Sequence, residues 1–246
     1  MQPSPHPRIR AALLLALSLG FGFASGVRAE PPSVDEAFHY RWHLTSFLGR
    51  LAGLFFPSRG EGVLSFRSTG DRHLESQLHI TSEQSKAGEF WLYGAEIDTQ
   101  ELRTLEAWSA YKYGDKERSK RELVDENGVL DVASGIYRIR LEPPRGPVEM
   151  RIWSDGKIYP VRITPRGAEE RRVGDRKVAT REFSIRGIER AGVRYWKGEL
   201  DLWLADDERA TPVAILIKRS GIGVLLELES TSRTDASELR SPESCG

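Results

Sequence analysis

Short segments in which apolar and polar residues alternate recur along most of this 246-residue chain, with turn residues between them. In the first of them single polar residues separate four large side chains, which are Phe38, Tyr40, Trp42 and Leu44. This period of two is typical of a β-strand with one buried face. About ten such segments and little helical pattern predict a mainly β fold, a single curved antiparallel sheet in half-barrel or sandwich-like form. We expect the sheet to curl because a large flat sheet exposes its edges.

The other predicted strands share the same alternation or a high content of aromatic residues. They lie at 62–68, 73–82, 89–97, 102–113, 148–153, 157–164, 177–185, 193–205, 211–218 and 223–229. The segment 102–113 is ambiguous, because Leu102, Leu105 and Trp108 also fit a helical spacing. Its aromatic content favours a strand.

Three stretches between the alternating segments carry other signals. Residues 115–121 (DKERSKR) are almost wholly charged and predict a solvated turn or a helical link. Residues 129–141 (VLDVASGIYRIRL) predict a helical turn capped by Asp131, followed by an extended segment. Asp155-Gly156 predicts a hairpin, because this dipeptide adopts the positive φ that a two-residue turn requires.

The start of the chain has the pattern of an export signal over residues 1–29. Two arginines precede the uncharged run 11–24, and Val27 and Ala29 occupy the positions that signal peptidase reads. The run is shorter than the roughly 20 residues that cross a bilayer. We therefore expect cleavage after Ala29 and a periplasmic or secreted protein without a stable membrane anchor.

The remainder divides into a β domain over residues 36–229 and a polar tail over residues 230–246. The tail has too few apolar residues to offset the entropy of ordering, so we expect it to be disordered. Cys245 is the one cysteine of the chain, which excludes an internal disulfide. The leader takes three of the 36 basic residues and none of the 36 acidic residues, which leaves a net charge of −3. This balance gives no electrostatic attraction to nucleic acid.

No pattern of catalytic or metal-binding residues stands out. His39 and His43 would lie on one face of a strand about 13 Å apart, which is too far to share a metal ion. The chain lacks a zinc-protease motif, a Gly-x-Ser-x-Gly nucleophile motif and a phosphate-binding loop. Paired acidic residues fall in predicted turns. We therefore expect no enzyme, no metal ion and no cofactor.

The aromatic residues instead allow a binding function. Tryptophans on several strands are core residues by default, but they would line an apolar pocket if the sheet wrapped incompletely. The apolar segment 46–57 (SFLGRLAGLFFP) fits either a short amphipathic helix or an apolar loop, and could cover such a pocket. The candidate ligand-binding residues are Leu51, Leu54, Phe55, Phe56, Trp42, Trp108, Trp153 and Trp203.

Three motifs in the second half of the chain are informative together. They are 131–140 (DVASGIYRIR), 154–161 (SDGKIYPV), and the pair 202–206 (LWLAD) and 210–213 (ATPV) followed by 223–228. Together they resemble the DUF3108 family of uncharacterised, exported bacterial envelope proteins, over about residues 105–229. The residues that carry the resemblance are Asp131, Ser134, Tyr137, Arg140, Asp155, Gly156, Tyr159 and Pro212. The resemblance implies an envelope location and a curved antiparallel β fold, similar to the half-barrels that carry lipoproteins, and it brings no catalytic residues.

Two functions remain open at this point. The first is a non-catalytic binder of an apolar ligand, such as a lipid or an acyl chain, in a β half-barrel. The alternative is a structural or interaction protein with a filled core, whose partner is another envelope protein. An apolar cavity between the sheet and residues 46–57 would favour the first.

Overall fold

A computed structural model describes residues 35–45, 57–83, 88–190, 192–219 and 221–232. The predicted export signal and most of the predicted tail lie outside these residues.

The described residues form fifteen strands and one helix. The bounds are β1 Glu36–Leu44, β2 Arg59–Ser68, β3 His73–Ser82, β4 Phe90–Asp98, β5 Arg103–Tyr113, β6 Lys116–Leu123, β7 Val129–Leu130, α1 Val132–Leu141, β8 Val148–Ser154, β9 Lys157–Val173, β10 Arg176–Gly187, β11 Glu189–Arg190, β12 Val193–Arg194, β13 Glu199–Ala205, β14 Pro212–Arg219 and β15 Ile222–Ser232. Thirteen strands form one sheet in the order β6-β5-β4-β3-β2-β1-β15-β14-β13-β10-β9-β8-β7. All its neighbours are antiparallel except β7 and β8, which confirms the prediction of a mainly β, antiparallel fold.

The strand order places the first and last strands side by side at the centre of the sheet. On either side of this central pair the strands follow chain order, except that β10 pairs with β13 and the short strands β11 and β12 between them form a separate hairpin. Strands β6 and β7 form the two edges. The two ends of the sheet meet through side chains. The indole Nε1 of Trp153 on β8 donates to the Glu122 carboxylate on β6 at 2.5 Å. The sheet is therefore rolled into a barrel-like form.

Helix α1 packs inside the rolled sheet. Its N-cap is Asp131, whose carboxylate accepts hydrogen bonds from the backbone N–H groups of Ala133 and Ser134. The Ser134 hydroxyl accepts in return from the Asp131 backbone N–H, which completes a capping box. Gly135 allows close packing, since a Cβ there would lie 3.1 Å from the Ile152 side chain of β8.

The extended segment predicted after Asp131 is wrong, because residues 132–141 are helical throughout. Tyr137, Ile139 and Leu141 alternate with basic residues, which suggested a strand. The helix contacts the sheet on several sides, so seven of its ten residues are buried and no narrow apolar stripe marks the helical period.

The charged segment 115–121 is also not a turn or a helical link. Most of it belongs to β6, which is an edge strand, and charged side chains protect exposed edges from unwanted pairing. Several boundaries differ as well: β2 begins already at Arg59, β9 continues to Val173 and β13 begins only at Glu199. Strand β15 continues to Ser232, so that residues 230–232 belong to the sheet.

Other local predictions are confirmed. The ambiguous segment 102–113 contains β5, a strand. Asp155 and Gly156 form the two-residue turn between β8 and β9, with φ values of 51° and 74°. Two successive positive φ values are the geometry of a type I′ turn, which explains the Asp-Gly dipeptide.

Candidate functional site

An apolar cavity of about 460 Å³ opens at one end of the rolled sheet, and we call it the mouth cavity. Its wall comes from strands on both sides of the β1–β15 pair, and most of it is aromatic or aliphatic. The lining residues are Trp42, Leu44, Pro57, Ile80, Trp91, Tyr93, Tyr113, Ile217, Arg219, Ile222 and Val224. Arg219 and Ile222 are exposed, so they belong to the rim.

Trp42 owes its position to a glycine on the neighbouring strand. It pairs with Gly60 of β2, and its indole Nε1 reaches across that glycine to donate to the Thr81 carbonyl oxygen at 2.7 Å. A Cβ at Gly60 would lie 2.5 Å from the indole nitrogen. The missing side chain therefore lets the Trp42 ring lie flat against the sheet and form part of the cavity wall.

Three further aromatic residues complete the wall on β4 and β5. Trp91 pairs with Ile80, and its ring centroid lies 6.2 Å from that of Tyr113. Tyr93 lies two residues along the same face. Burial raises the pKa of Tyr93 to about 12, with Asp155 adding to the rise and Arg219 opposing it. The Tyr93 hydroxyl therefore stays protonated at neutral pH and can donate a hydrogen bond.

A second, more polar pocket of about 190 Å³ adjoins the mouth cavity, and we call it the side pocket. The two share Tyr93, Ile217 and Arg219 as lining residues. The side pocket adds polar groups from three other parts of the chain: the end of β8 with the β8–β9 turn, β9, and the segment that leads into the first residue of β13. These include Ser154, Asp155, Tyr159, Tyr195, Lys197 and Glu199. An apolar space and a polar space thus meet at Arg219.

The opposite end of the rolled sheet is filled by a buried charged cluster around Arg140 of α1. The guanidinium makes an ion pair with Glu36 at 2.7 Å and donates to the carbonyl oxygens of Arg209 and Ala210 at 3.2 Å each. It also lies 4.7 Å from the ring centroid of Phe38. These contacts join the helix to β1 and to the β13–β14 turn, and they close this end.

The residues that carry the family resemblance are mostly structural. Asp131 and Ser134 cap the helix, and burial raises the pKa of the Asp131 carboxyl group. The ring of Tyr137 lies 5.1 Å from that of Phe66. The Pro212 carbonyl oxygen accepts a hydrogen bond from the Tyr40 hydroxyl at 2.7 Å.

The remaining motif residues lie near the mouth or at the closed end. Asp155 and Gly156 form the β8–β9 turn, and Asp155 and Tyr159 line the side pocket. Arg140 is the centre of the buried cluster.

Only some of the predicted ligand-binding residues line the mouth cavity in the structure. Trp42 lines the mouth cavity, but Trp108, Trp153 and Trp203 do not. By strand alternation these three lie on the faces of their strands that point away from the cavity. They are nevertheless buried, Trp153 and Trp203 as part of the main hydrophobic core and Trp108 in a smaller cluster with Phe90 and Leu92. The guanidinium of Arg121 lies over the Trp108 ring and that of Arg171 over the Trp203 ring. Trp153 packs at the junction of the sheet ends.

The other four predicted ligand-binding residues lie in a segment outside the described residues. They are Leu51, Leu54, Phe55 and Phe56. Leu44 and Pro57, which border the segment, both line the mouth cavity.

Sequence reasoning missed Tyr93 and Tyr113 as cavity residues, and it did not place Trp91 among the candidate ligand-binding residues. In β4 the odd-numbered and even-numbered positions are both apolar, so alternation alone does not identify the inner face. Pairing with β3 identifies the inner face, because Ile80 and Leu78 of that strand lie opposite Trp91 and Tyr93.

Two classes of feature are absent from the described part of the chain. No three His, Cys, Asp or Glu side chains there are grouped so that they could hold a metal ion. None of its helices has the length and apolar character needed to span a membrane.

Comparison with solved structures supports the barrel-like description. The chain is similar to a beta-barrel-like protein of the domain of unknown function DUF1849 from Brucella abortus, with a TM-score of 0.53 and 9% sequence identity. The match covers 83% of this chain and all of the other. At this identity the likeness shows the fold alone. A weaker likeness, to the hypothetical protein CT021 from Chlamydia trachomatis, has a TM-score of 0.37 and 6% identity, over 83% of this chain and 91% of that one.

Comparison at the level of sequence identifies the family. No curated protein matches the chain. The family model described as "Protein of unknown function (DUF3108)" matches residues 58–228, which include the three motifs and all the lining residues of the mouth cavity except Trp42, Leu44 and Pro57. The chain therefore belongs to the DUF3108 family.

Proposed function

We propose that this protein is an exported, non-catalytic binder of an apolar ligand such as an acyl chain, and that the ligand occupies the mouth cavity. The cavity itself carries the proposal. Its volume of about 460 Å³ falls in the range of roughly 300–1,000 Å³ that is usual for small-molecule sites. Its wall is aromatic and aliphatic apart from Arg219, which suits a chain without polar groups.

The construction of the wall also supports binding. Trp42, Trp91 and Tyr113 are on three strands that hydrogen bonds hold in one sheet, and Trp42 is further fixed by its bond to the Thr81 carbonyl oxygen. A wall that is formed before the ligand arrives avoids the entropic cost of ordering side chains on binding. Export is proposed from the pattern of residues 1–29 alone.

Titration with a neutral fluorescent probe, N-phenyl-1-naphthylamine, tests this proposal. The protein is expressed with its leader, so that export can occur, and then purified. We expect saturable binding of one probe per chain. Trp91→Ala removes a large aromatic surface from the wall and is expected to weaken the affinity by roughly tenfold, as the loss of a central aromatic contact does.

Leu123→Ala is the matched control. Leu123 is 73% exposed on the edge strand β6 and does not line the mouth cavity, so its loss should leave probe affinity unchanged. If the parent protein shows no saturable binding, the proposal fails, and a structural or interaction role in the envelope becomes the better account.

A further inference from the structure

We infer that the ligand is an amphiphile with an anionic headgroup, a carboxylate or a phosphate, which binds Arg219 and Lys197 where the mouth cavity meets the side pocket. This inference rests on the proposed function, because it needs a chain in the mouth cavity. It adds the chemistry of the ligand's headgroup, the end of the ligand that lies outside the mouth cavity.

Arg219 is placed to meet such a headgroup. It lines the mouth cavity, the side pocket and a third pocket of about 240 Å³ beside them. It is exposed and makes no ion pair with the residues that the structure describes. Its neighbour Lys218 differs, since that ammonium pairs with Asp201 at 3.2 Å. Arg219 is thus a cation at the edge of an apolar space. No Asp or Glu side chain among the described residues forms an ion pair with it.

The other charged groups at this junction leave a positive balance. Lys197 lines the side pocket and the third pocket, and it too has no ion-pair partner among the described residues. Glu199 lines the same two pockets, but it makes an ion pair with Arg186 at 3.3 Å. Asp155 on the β8–β9 turn is the remaining acid of the side pocket. Two cations without partners therefore face one carboxylate.

The shape of the junction favours one orientation of an amphiphile. The chain would enter the apolar wall around Trp91, and its headgroup would remain at Arg219, beside the side pocket. That pocket holds about 190 Å³ and offers the hydroxyl groups of Ser154 and Tyr159. A guanidinium binds carboxylates and phosphates through two parallel hydrogen bonds, and the bond is stronger beside a wall of low dielectric constant.

Competition among four ligands with the same twelve-carbon chain tests the inference. Dodecanoic acid, dodecyl phosphate, dodecanol and dodecyltrimethylammonium are used to displace N-phenyl-1-naphthylamine, at constant ionic strength and below their micelle concentrations. We expect one or both anions to displace the probe at about tenfold lower concentration than dodecanol, and the ammonium compound to be weakest. The tighter of the two anions identifies the headgroup.

Two variants connect this preference to the proposed residue. Arg219→Gln should abolish the advantage of the anions and leave dodecanol unchanged, and Lys197→Gln should reduce the advantage. Arg145→Gln removes an exposed arginine outside these pockets and should change nothing. Equal displacement by the anions and dodecanol, or a preference that survives Arg219→Gln, would overturn the inference while the proposed function stands. If none of the four compounds binds, both fail.

Discussion

Replacing Arg140 by Ala is expected to lower the free energy of unfolding by about 3–5 kcal/mol, the range found when one partner of a buried ion pair is removed. The Arg140 side chain is fully buried, and its partner Glu36 is largely so. Without the guanidinium, the Glu36 carboxylate loses its counter-ion and two backbone carbonyl oxygens lose a donor. The rings of Phe38 and Phe66 also lose the cation between them. Equilibrium unfolding in urea, monitored by circular dichroism, measures the loss.

Arg138→Ala is the control on the same helix. Arg138 pairs with Glu142 at the partly exposed end of α1, an i, i+4 contact of the kind that contributes only about 0.3–0.5 kcal/mol. If both variants lose a similar, small amount, the cluster around Arg140 does not join the helix to β1 and the β13–β14 turn as described.

Gly60→Ala is expected to lower the free energy of unfolding by about 3 kcal/mol, the upper end of the usual range for overpacking. The added Cβ would lie 2.0 Å from the Thr81 carbonyl oxygen, which belongs to the neighbouring strand and cannot rotate away. It would also displace the Trp42 indole and break its hydrogen bond to that oxygen. Because Trp42 lines the mouth cavity, probe binding should weaken in the same variant. Urea unfolding and probe titration measure the two effects.

Gly70→Ala is the matched control, because a Cβ there would meet no atom within 4 Å and its φ is not positive. Its stability should equal or slightly exceed that of the parent, since alanine restricts the unfolded chain. A parent-like stability of Gly60→Ala would contradict the close approach of Trp42 to Gly60.

Much of the fold was predictable because its signals are local. Alternating residues identified most strands, and Asp155-Gly156 identified a turn whose geometry depends on those two residues alone. Which strands pair with each other was harder to predict from the sequence. The pairing of β1 with β15 joins residues more than 190 positions apart, as between Phe38 and Thr231, and no local pattern encodes it.

The predictions failed where burial or edge position overrides local pattern. Helix α1 is surrounded by the sheet, so apolar residues occur all round it and imitate the alternation of a strand. Strand β6 is so rich in charge that it resembled a turn, although charge is typical of an exposed edge.

The candidate site was predicted only in part. The sequence indicated that aromatic residues on several strands could surround an apolar pocket, and Trp42 lies in that wall. It did not indicate which face of each strand points inward, since Trp108 and Trp203 are aromatic residues on apolar strands but face the other way. Arg219 follows a run of apolar residues at the end of β14, and nothing in the sequence connects it with Tyr93 or Lys197.

Quenching of tryptophan fluorescence by a brominated fatty acid tests most directly whether a chain occupies the mouth cavity. Bromine quenches indoles that it contacts, and among the six tryptophans Trp42 and Trp91 line the cavity while Trp196 lines the side pocket. We expect saturable, partial quenching in the parent, most of which is lost in the Trp42→Phe, Trp91→Phe double variant. The Trp108→Phe, Trp203→Phe double variant should keep it. No quenching, or quenching that persists without Trp42 and Trp91, would contradict the account.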